Sequence, residues 1–220
     1  MELFPGLSSR GADEALAWAQ VRQLPKEMRI FAQGDPAERA HVLVSGSVRI
    51  AQSGADGGQV IVRLIAPGET FGTIALFTDG RYPADAVTLA DSVEASWSAN
   101  ELRALMTGHP AISMNVIRIL GKRLKEAQER VRELATQRVE QRVAHAVLRL
   151  AHQAGHATAD GTAIEFPLRR KDLAELSGTT LHTASRILTV WEKAGLLASR
   201  HQLLTLCCPA EIRRIAEGNT

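Results

Sequence analysis

The 220-residue chain is short of cysteine, of long apolar runs and of charge of one sign. Its two cysteines are neighbours, Cys207-Cys208. A disulfide between adjacent residues is strained, and two thiols fall short of the four ligands that a structural zinc or a one-chain iron–sulfur cluster takes. A four-cysteine cluster is therefore excluded. No apolar stretch approaches the roughly 18 residues of a membrane span. Met1-Glu2-Leu3-Phe4-Pro5 has no basic start followed by an apolar run, so a secretory signal is not expected, and a cytoplasmic protein with no membrane partner is. Net charge is only +2, too small to identify a polyanionic partner. Catalytic constellations are lacking too. The strand-like runs hold only His41, whereas a cupin-like metal site needs clustered histidines and a carboxylate. No Ser/His/Asp order, phosphate-cradling glycine loop or paired-carboxylate motif stands out, and an enzyme is not expected.

What is present has the balance of a globular protein, 45% hydrophobic and 23% charged, with length for two ordinary domains. Asp13 to Gln20 is predicted as a short opening helix. The first half then shows strand-like runs broken by turn residues: His41 to Ile50, a turn at Gly54 to Gly58, Gln59 to Ile65, turns at Pro67-Gly68-Glu69 and Asp79 to Pro83, and Thr88 to Trp97. Short strands at such intervals predict an all-β sandwich or barrel.

From Ile112 the period changes. Ile117, Leu120, Leu124, Ala127, Val131 and Leu134 alternate spacings of three and four, a heptad seam with mostly charged residues and glutamine between them. Such a stripe could cover its own barrel; its narrowness, and charges of alternating sign beside it, favour self-pairing in a parallel homodimer. The pattern breaks at Thr136-Gln137-Arg138, and a new apolar face starts at Val139 and ends before Gly155. The expected division is residues 1–110 for the barrel, 111–137 for the dimer helix and 138–220 for the last domain.

In that last domain a loop (Gly155 to Gly161) and a short strand (Ile164 to Leu168) precede one helix marked by Leu173 and Leu176. A glycine turn at Gly178-Thr179 follows, then a helix from Thr180 to Glu192 with Ile187, Leu188 and Trp191 on its buried side. Helix, glycine turn, helix is the helix-turn-helix layout, which enters the major groove of double-stranded DNA by the N-terminal end of its second helix. The outer face there presents Leu181, His182, Ser185, Arg186 and Thr189. Arginine can bond guanine O6 and N7 bidentately, and serine and histidine can donate to bases or phosphates. Thr180, Arg169, Arg170, Lys171 and Arg200 are the expected phosphate contacts. From Leu168 to Arg200 basic residues (Arg169, Arg170, Lys171, Arg186, Lys193, Arg200) exceed acidic ones (Asp172, Glu175, Glu192). Gly195 to Ser199 and Gln202 to Leu206 would form a wing hairpin.

With these residues in hand, the chain resembles the Crp/Fnr superfamily of bacterial transcription factors over almost its whole length. The barrel half matches through Gly34-Asp35, Gly46-Ser47-Val48 and Pro67-Gly68-Glu69-Thr70-Phe71-Gly72; the reader matches through Arg170-Lys171-Asp172-Leu173-Ala174, Gly178 and Ser185-Arg186-Ile187-Leu188. The resemblance implies an α+β chain: a cyclic-nucleotide-binding-type β-barrel (double-stranded β-helix), a dimerisation helix and a winged helix-turn-helix. It also implies contact with RNA polymerase, activation in most members, and a palindrome with TTG-type half-sites. Departures matter equally. The acid that holds the ribose in cyclic-AMP-binding members is Thr73 here, the Arg-Ser pair that holds the phosphate is Pro83-Ala84, and the adenine-binding pair on the long helix is Ala127-Gln128. Burying a cyclic phosphate without a cation costs several kcal/mol, so cyclic AMP is not the expected effector, and a module that gates a partner through it is disfavoured too. Tyr82-Pro83-Ala84 and Thr180 to Arg186 are similar to the nitric-oxide-responsive (DNR/NnrR) branch of denitrification regulators. That branch implies haem, with His41 and His109 as candidate axial ligands and Phe71, Gly72, Thr73, Tyr82 and Pro83 as the candidate effector pocket. The other reading of the sequence is a regulator with a different effector or none.

Overall fold

The computed structural model describes residues 1–54, 58–200 and 202–218. Most of the turn expected at Gly54 to Gly58 lies outside these residues. The chain forms two units, Met1–Asp56 with Arg63–Gln128, and Gly57–Val62 with Glu129–Thr220.

In the first unit, helix α1 (Ser9–Ala17) starts earlier than the sequence pattern suggests, because the Ser8 hydroxyl accepts from the Gly11 amide at 3.2 Å and caps it. It also stops earlier, since Gln20 enters a strand. The strands that follow among the described residues are β1 (Gln20–Leu24), β2 (Arg29–Phe31), β3 (Arg39–Ser45), β4 (Val48–Ser53), β5 (Gln59–Ile65, whose residues up to Val62 cluster with the second unit), β6 (Thr70–Phe71), β7 (Asp85–Thr88) and β8 (Ser92–Ser98). The run expected from Thr88 to Trp97 is thus the end of one strand and most of the next. One sheet has the order β1-β8-β3-β6, the other β2-β7-β4-β5. Gly46 makes the β3–β4 turn at φ +89°, where a Cβ would lie 2.2 Å from the Ser92 hydroxyl, so only glycine fits.

Period-two alternation gives the first sheet two different faces. Ala40 and Val42 of β3 and Ala95 and Trp97 of β8 point outward, into a core closed by Leu3, Ala15, Leu102, Leu105, Ile112 and Val116. The covering elements are α1, α2 (Ala99–Gly108) and the start of α3 (Pro110–Thr136). Trp97 donates its indole N–H to the Ala15 carbonyl at 2.7 Å, satisfying the one polar atom of a buried tryptophan. The alternate residues face the interior between the sheets, where Leu43, Phe71, Phe31, Val48, Ile65 and Ala86 form a second core. His41 and Glu94 also point there, both buried. Glu94 accepts from His41 Nδ1 at 2.9 Å and from Arg22 Nε at 2.7 Å, Arg22 being its cross-strand neighbour on β1.

The second unit contains α4 (Val139–Ala154), β9 (Gly155–Thr158), β10 (Gly161–Ile164), α5 (Arg170–Leu176), α6 (Leu181–Lys193), β11 (Leu197–Arg200), β12 (Leu203–Leu206) and α7 (Pro209–Glu217). Its sheet has the order β11-β12-β10-β9. The segment expected as a loop at Gly155 to Gly161 is mostly the edge strand β9, and the strand expected at Ile164 to Leu168 ends at Ile164. The closing helix α7 carries a buried pair, Ile212 and Ala216, which the sequence reading did not single out.

Burial alone would raise the Glu94 pKa, yet the His41 hydrogen bond and charge, with Arg22, hold it below the usual carboxylate value of 4.5. A lowered folded value means that the stabilisation is present above the unfolded pKa and fades as pH falls through the folded one. Glu94→Gln is expected to cost about 3 kcal/mol at neutral pH. In urea melts the gap from the parent protein should narrow as pH drops below about 4.5; a gap independent of pH would contradict an ionised Glu94.

Candidate nucleic-acid interface

Helix α5 ends in a Schellman motif. Gly178, at φ +61°, donates to the Glu175 carbonyl at 3.3 Å, and Thr179 donates to Ala174 at 3.0 Å. Helix α6 then starts at once, capped by the Thr180 hydroxyl, which accepts from the Thr183 amide at 3.2 Å. Ala184, Leu188 and Trp191 are its buried stripe, with Ile187 half-buried. Trp191 donates its indole N–H to Glu140 on α4 at 3.1 Å.

That stripe turns the opposite face of α6 outward. Leu181, His182 and Arg186 are exposed and Ser185 is half-buried beside them, so these four share the first two turns. Lys171 and Arg200 are exposed as well; Lys171 has Glu175 one turn away at 3.6 Å. Arg169 reaches back to its own helix, with Nε and Nη2 3.2 and 3.1 Å from the two Asp172 oxygens.

Arg170 is placed differently from a phosphate contact. Its guanidinium donates to the Ser185 carbonyl at 2.9 Å, the Thr189 hydroxyl at 2.8 Å and the Glu192 carboxylate at 2.7 Å. It staples α5 to α6 from Ser185 to Glu192 and engages the Thr189 hydroxyl. Sequence spacing placed a cation beside the recognition helix; it could not show which way the side chain turns.

On α3, Ile117, Leu124 and Val131 are 60%, 62% and 67% exposed, large apolar residues facing solvent in a single chain. Met114 and Leu134 are about half exposed and Ala127 is exposed. Leu120 departs from the expected seam, because it is half-buried against the outer core of the first unit. The open stripe passes instead through Gly121, where a Cβ would meet nothing within 4 Å.

Of the candidate effector residues, Phe71, Gly72 and Tyr82 are packed among aromatics. Phe71 and Tyr82 are buried, Thr73 is buried, Gly72 is half-buried and Pro83 is exposed. Tyr82 stacks on Phe31 with centroids 3.7 Å apart, and His41 stacks on Phe71 at 4.9 Å. His41 is 3% exposed, with Nδ1 on Glu94 and Nε2 3.4 Å from the Tyr82 hydroxyl. His109 places Nε2 3.1 Å from Glu14, and its Nδ1 side lies against Gly11. An axial ligand needs a nitrogen directed at open space for the iron and its macrocycle. Neither histidine offers one, so these residues do not fit haem. Among the described residues no group of three or more His, Cys, Asp or Glu could hold a metal ion, and no helix is long and apolar enough to cross a membrane.

Arg170→Ala is expected to cost about 1–3 kcal/mol of domain stability by leaving the Glu192 carboxylate and the Thr189 hydroxyl without the guanidinium that donates to them. The salt dependence of DNA affinity should keep its slope, whereas loss of a phosphate contact would reduce that slope by about 0.9. Chemical denaturation and salt-titrated binding of the same variant measure both.

Comparison with known proteins places these elements. Residues 21–109 match the cyclic nucleotide-binding domain family, and residues 141–215 match the Crp-like helix-turn-helix domain family. The Cyclic AMP receptor protein of Thermus thermophilus is 32% identical over 195 residues, covering 89% of this chain and 87% of its own. The Global nitrogen regulator of a Nostoc species is 26% identical over 198 residues, covering 88% of each. Among solved structures, the Catabolite Activator Protein of Thermus thermophilus is similar over 100% of both chains, with a TM-score of 0.58 and 30% identity. FixK2 from Bradyrhizobium japonicum covers 90% of this chain and 96% of its own at a TM-score of 0.79; at 22% identity that is a likeness of fold. With both domain families matched in order and a relative above 30% identity along most of its length, the chain belongs to the Crp/Fnr family of DNA-binding transcription regulators.

Proposed function

We propose that the chain acts as a homodimer that reads a two-fold symmetric DNA site through the first two turns of α6. Leu181, His182, Ser185 and Arg186 contact the base edges; Arg169, Lys171, Thr180 and Arg200 lie toward the phosphates. The observation that carries this reading is the exposed N-terminal face of α6, which presents His182 and Arg186 on adjacent turns while Arg170 fixes the helix from behind. Pairing runs along the open stripe of α3, through Met114, Ile117, Gly121, Leu124 and Val131, with Ala127 and Leu134 at its margin. Two reading helices related by that pairing meet half-sites about 34 Å apart, one DNA turn. A TTG-type palindrome, and activation through RNA polymerase, follow from the family resemblance; transcription in vitro from a selected site tests the second.

For the effector, the reading excludes cyclic AMP and the two expected haem ligands. Thr73, Pro83 and Ala84 stand where cyclic-AMP-binding members carry polar groups, and the His41, Tyr82 and Phe31 rings crowd Gly72. Nitric-oxide sensing through His41 or His109 is therefore not part of the proposal, and an effector of another class, or control by abundance alone, is.

Site selection from random duplexes should return a palindrome. Arg186→Ala should then cost about 1–3 kcal/mol per half-site and relax base preference at one position, whereas Lys171→Ala should weaken all sequences alike. Uniform weakening by Arg186→Ala would make it a phosphate contact. Leu124→Glu is expected to give monomers in sedimentation, and a stable dimer would refute the seam. Hemin titrated into reduced protein should give no stoichiometric Soret band; one haem per chain, lost in His41→Ala or His109→Ala, would reverse the effector reading.

A further inference from the structure

Where α5 ends, three successive carbonyls point to side chains from outside the helix-turn-helix. Arg130, on the last turns of α3, donates Nη2 to the Leu176 carbonyl. Arg142, on the first turns of α4, donates Nε to the Ser177 carbonyl at 2.9 Å and Nη2 to the Gly178 carbonyl at 3.1 Å. The third arm of Arg142 donates to the Gln137 carbonyl at 3.0 Å, in the two-residue break between α3 and α4. Leu134, one turn beyond Arg130, closes the same corner: a Cβ on Gly178 would lie 2.7 Å from its Cδ2.

These contacts differ from ordinary packing. The C-terminal carbonyls of a helix carry the negative end of its dipole, and a guanidinium is the cation that can donate to several of them in fixed directions. Arg130 also reaches the Ile61 and Val62 carbonyls, at 3.1 and 3.4 Å. Burial lowers its pKa to about 10, with the Arg149 charge adding to the fall and Glu133 opposing it, so Arg130 stays charged at neutral pH. None of the five carbonyls it and Arg142 grip outside the break touches DNA in the proposed reading.

We infer that Arg130 is a positioning residue for DNA recognition, fixing the α5–α6 turn against the end of α3 and so setting the spacing of half-sites that the dimer accepts. The inference rests on the proposed dimeric reading. It adds a specificity that no residue on α6 supplies, because the base-edge contacts choose the letters of a half-site and the turn's anchorage chooses how far apart two half-sites stand.

The test uses full-length protein and the palindrome selected by the parent chain, resynthesised with the central spacer changed by one and two base pairs. The parent should discriminate sharply among spacers. Arg130→Gln should lose about 10-fold on the best spacer, the scale of one charged hydrogen bond, while the off-length sites change little, so that spacer preference flattens. Arg130→Lys, which keeps the charge and one donor direction, should recover part of the preference and carries the test if the glutamine variant does not fold by circular dichroism. The salt slope should stay at the parent value; a fall of about 0.9 would mean that Arg130 contacts a phosphate and would overturn the inference. Equal loss on every spacer would overturn it as well, since it would show a merely structural arginine. A parent protein that selects no two-fold site would bring down the dimeric reading itself, an outcome separate from a parent that selects one and a variant that keeps its spacing.

Discussion

A helix that ends inside a folded unit leaves four carbonyl oxygens without intrahelical partners, and each must find a donor or face a desolvation penalty. At the end of α5 that requirement organises the C-terminal unit. Ser177 turns its amide and hydroxyl back to Leu173, the Schellman amides take Ala174 and Glu175, and guanidiniums from two other helices take Leu176, Ser177 and Gly178. Because the donors are arginines on α3 and α4, satisfying the end of α5 also ties the α5–α6 turn to those two helices. Arg170 completes the arrangement from the other side, locking α6 to α5 through Ser185, Thr189 and Glu192.

The first unit shows what the same physics does inside a sheet. Alternation sends Ala40, Val42, Ala95 and Trp97 to a dry face under helices and sends His41 and Glu94 inward among rings. A buried carboxylate there is tolerable because Arg22 and His41 both donate to it. The histidine that a sequence reader would nominate for metal is thus committed to a carboxylate and a phenol.

Patterned elements were legible in the sequence; side-chain direction was not. The heptad spacing found α3, and the glycine-punctuated β-branched runs found the sheets, since both signals are periodic. Strand β9 escaped because all four of its residues are exposed, which leaves no apolar alternation to read. Leu120 was assigned to the stripe because 117, 120 and 124 fit a heptad as well as 117, 121 and 124; only the neighbouring core shows that Leu120 is already covered. Arg170 looked like a phosphate contact because composition counts a cation and not where its stem points. Arg130 and Arg142 carried no motif, and their contacts to the turn reach carbonyls 35 to 46 positions along the chain, a relation that spacing on one helix does not encode.

The grip on Leu176 to Gly178 also decides where this protein can be cut and rejoined. The visible break at Gln137-Arg138 looks like the seam of a portable reader, yet a graft made there would part Arg130 and Leu134 from the turn they hold. The last turns of α3, from Glu129, cluster with the C-terminal unit, and that unit moved to another protein keeps its anchorage only if the stretch travels with it.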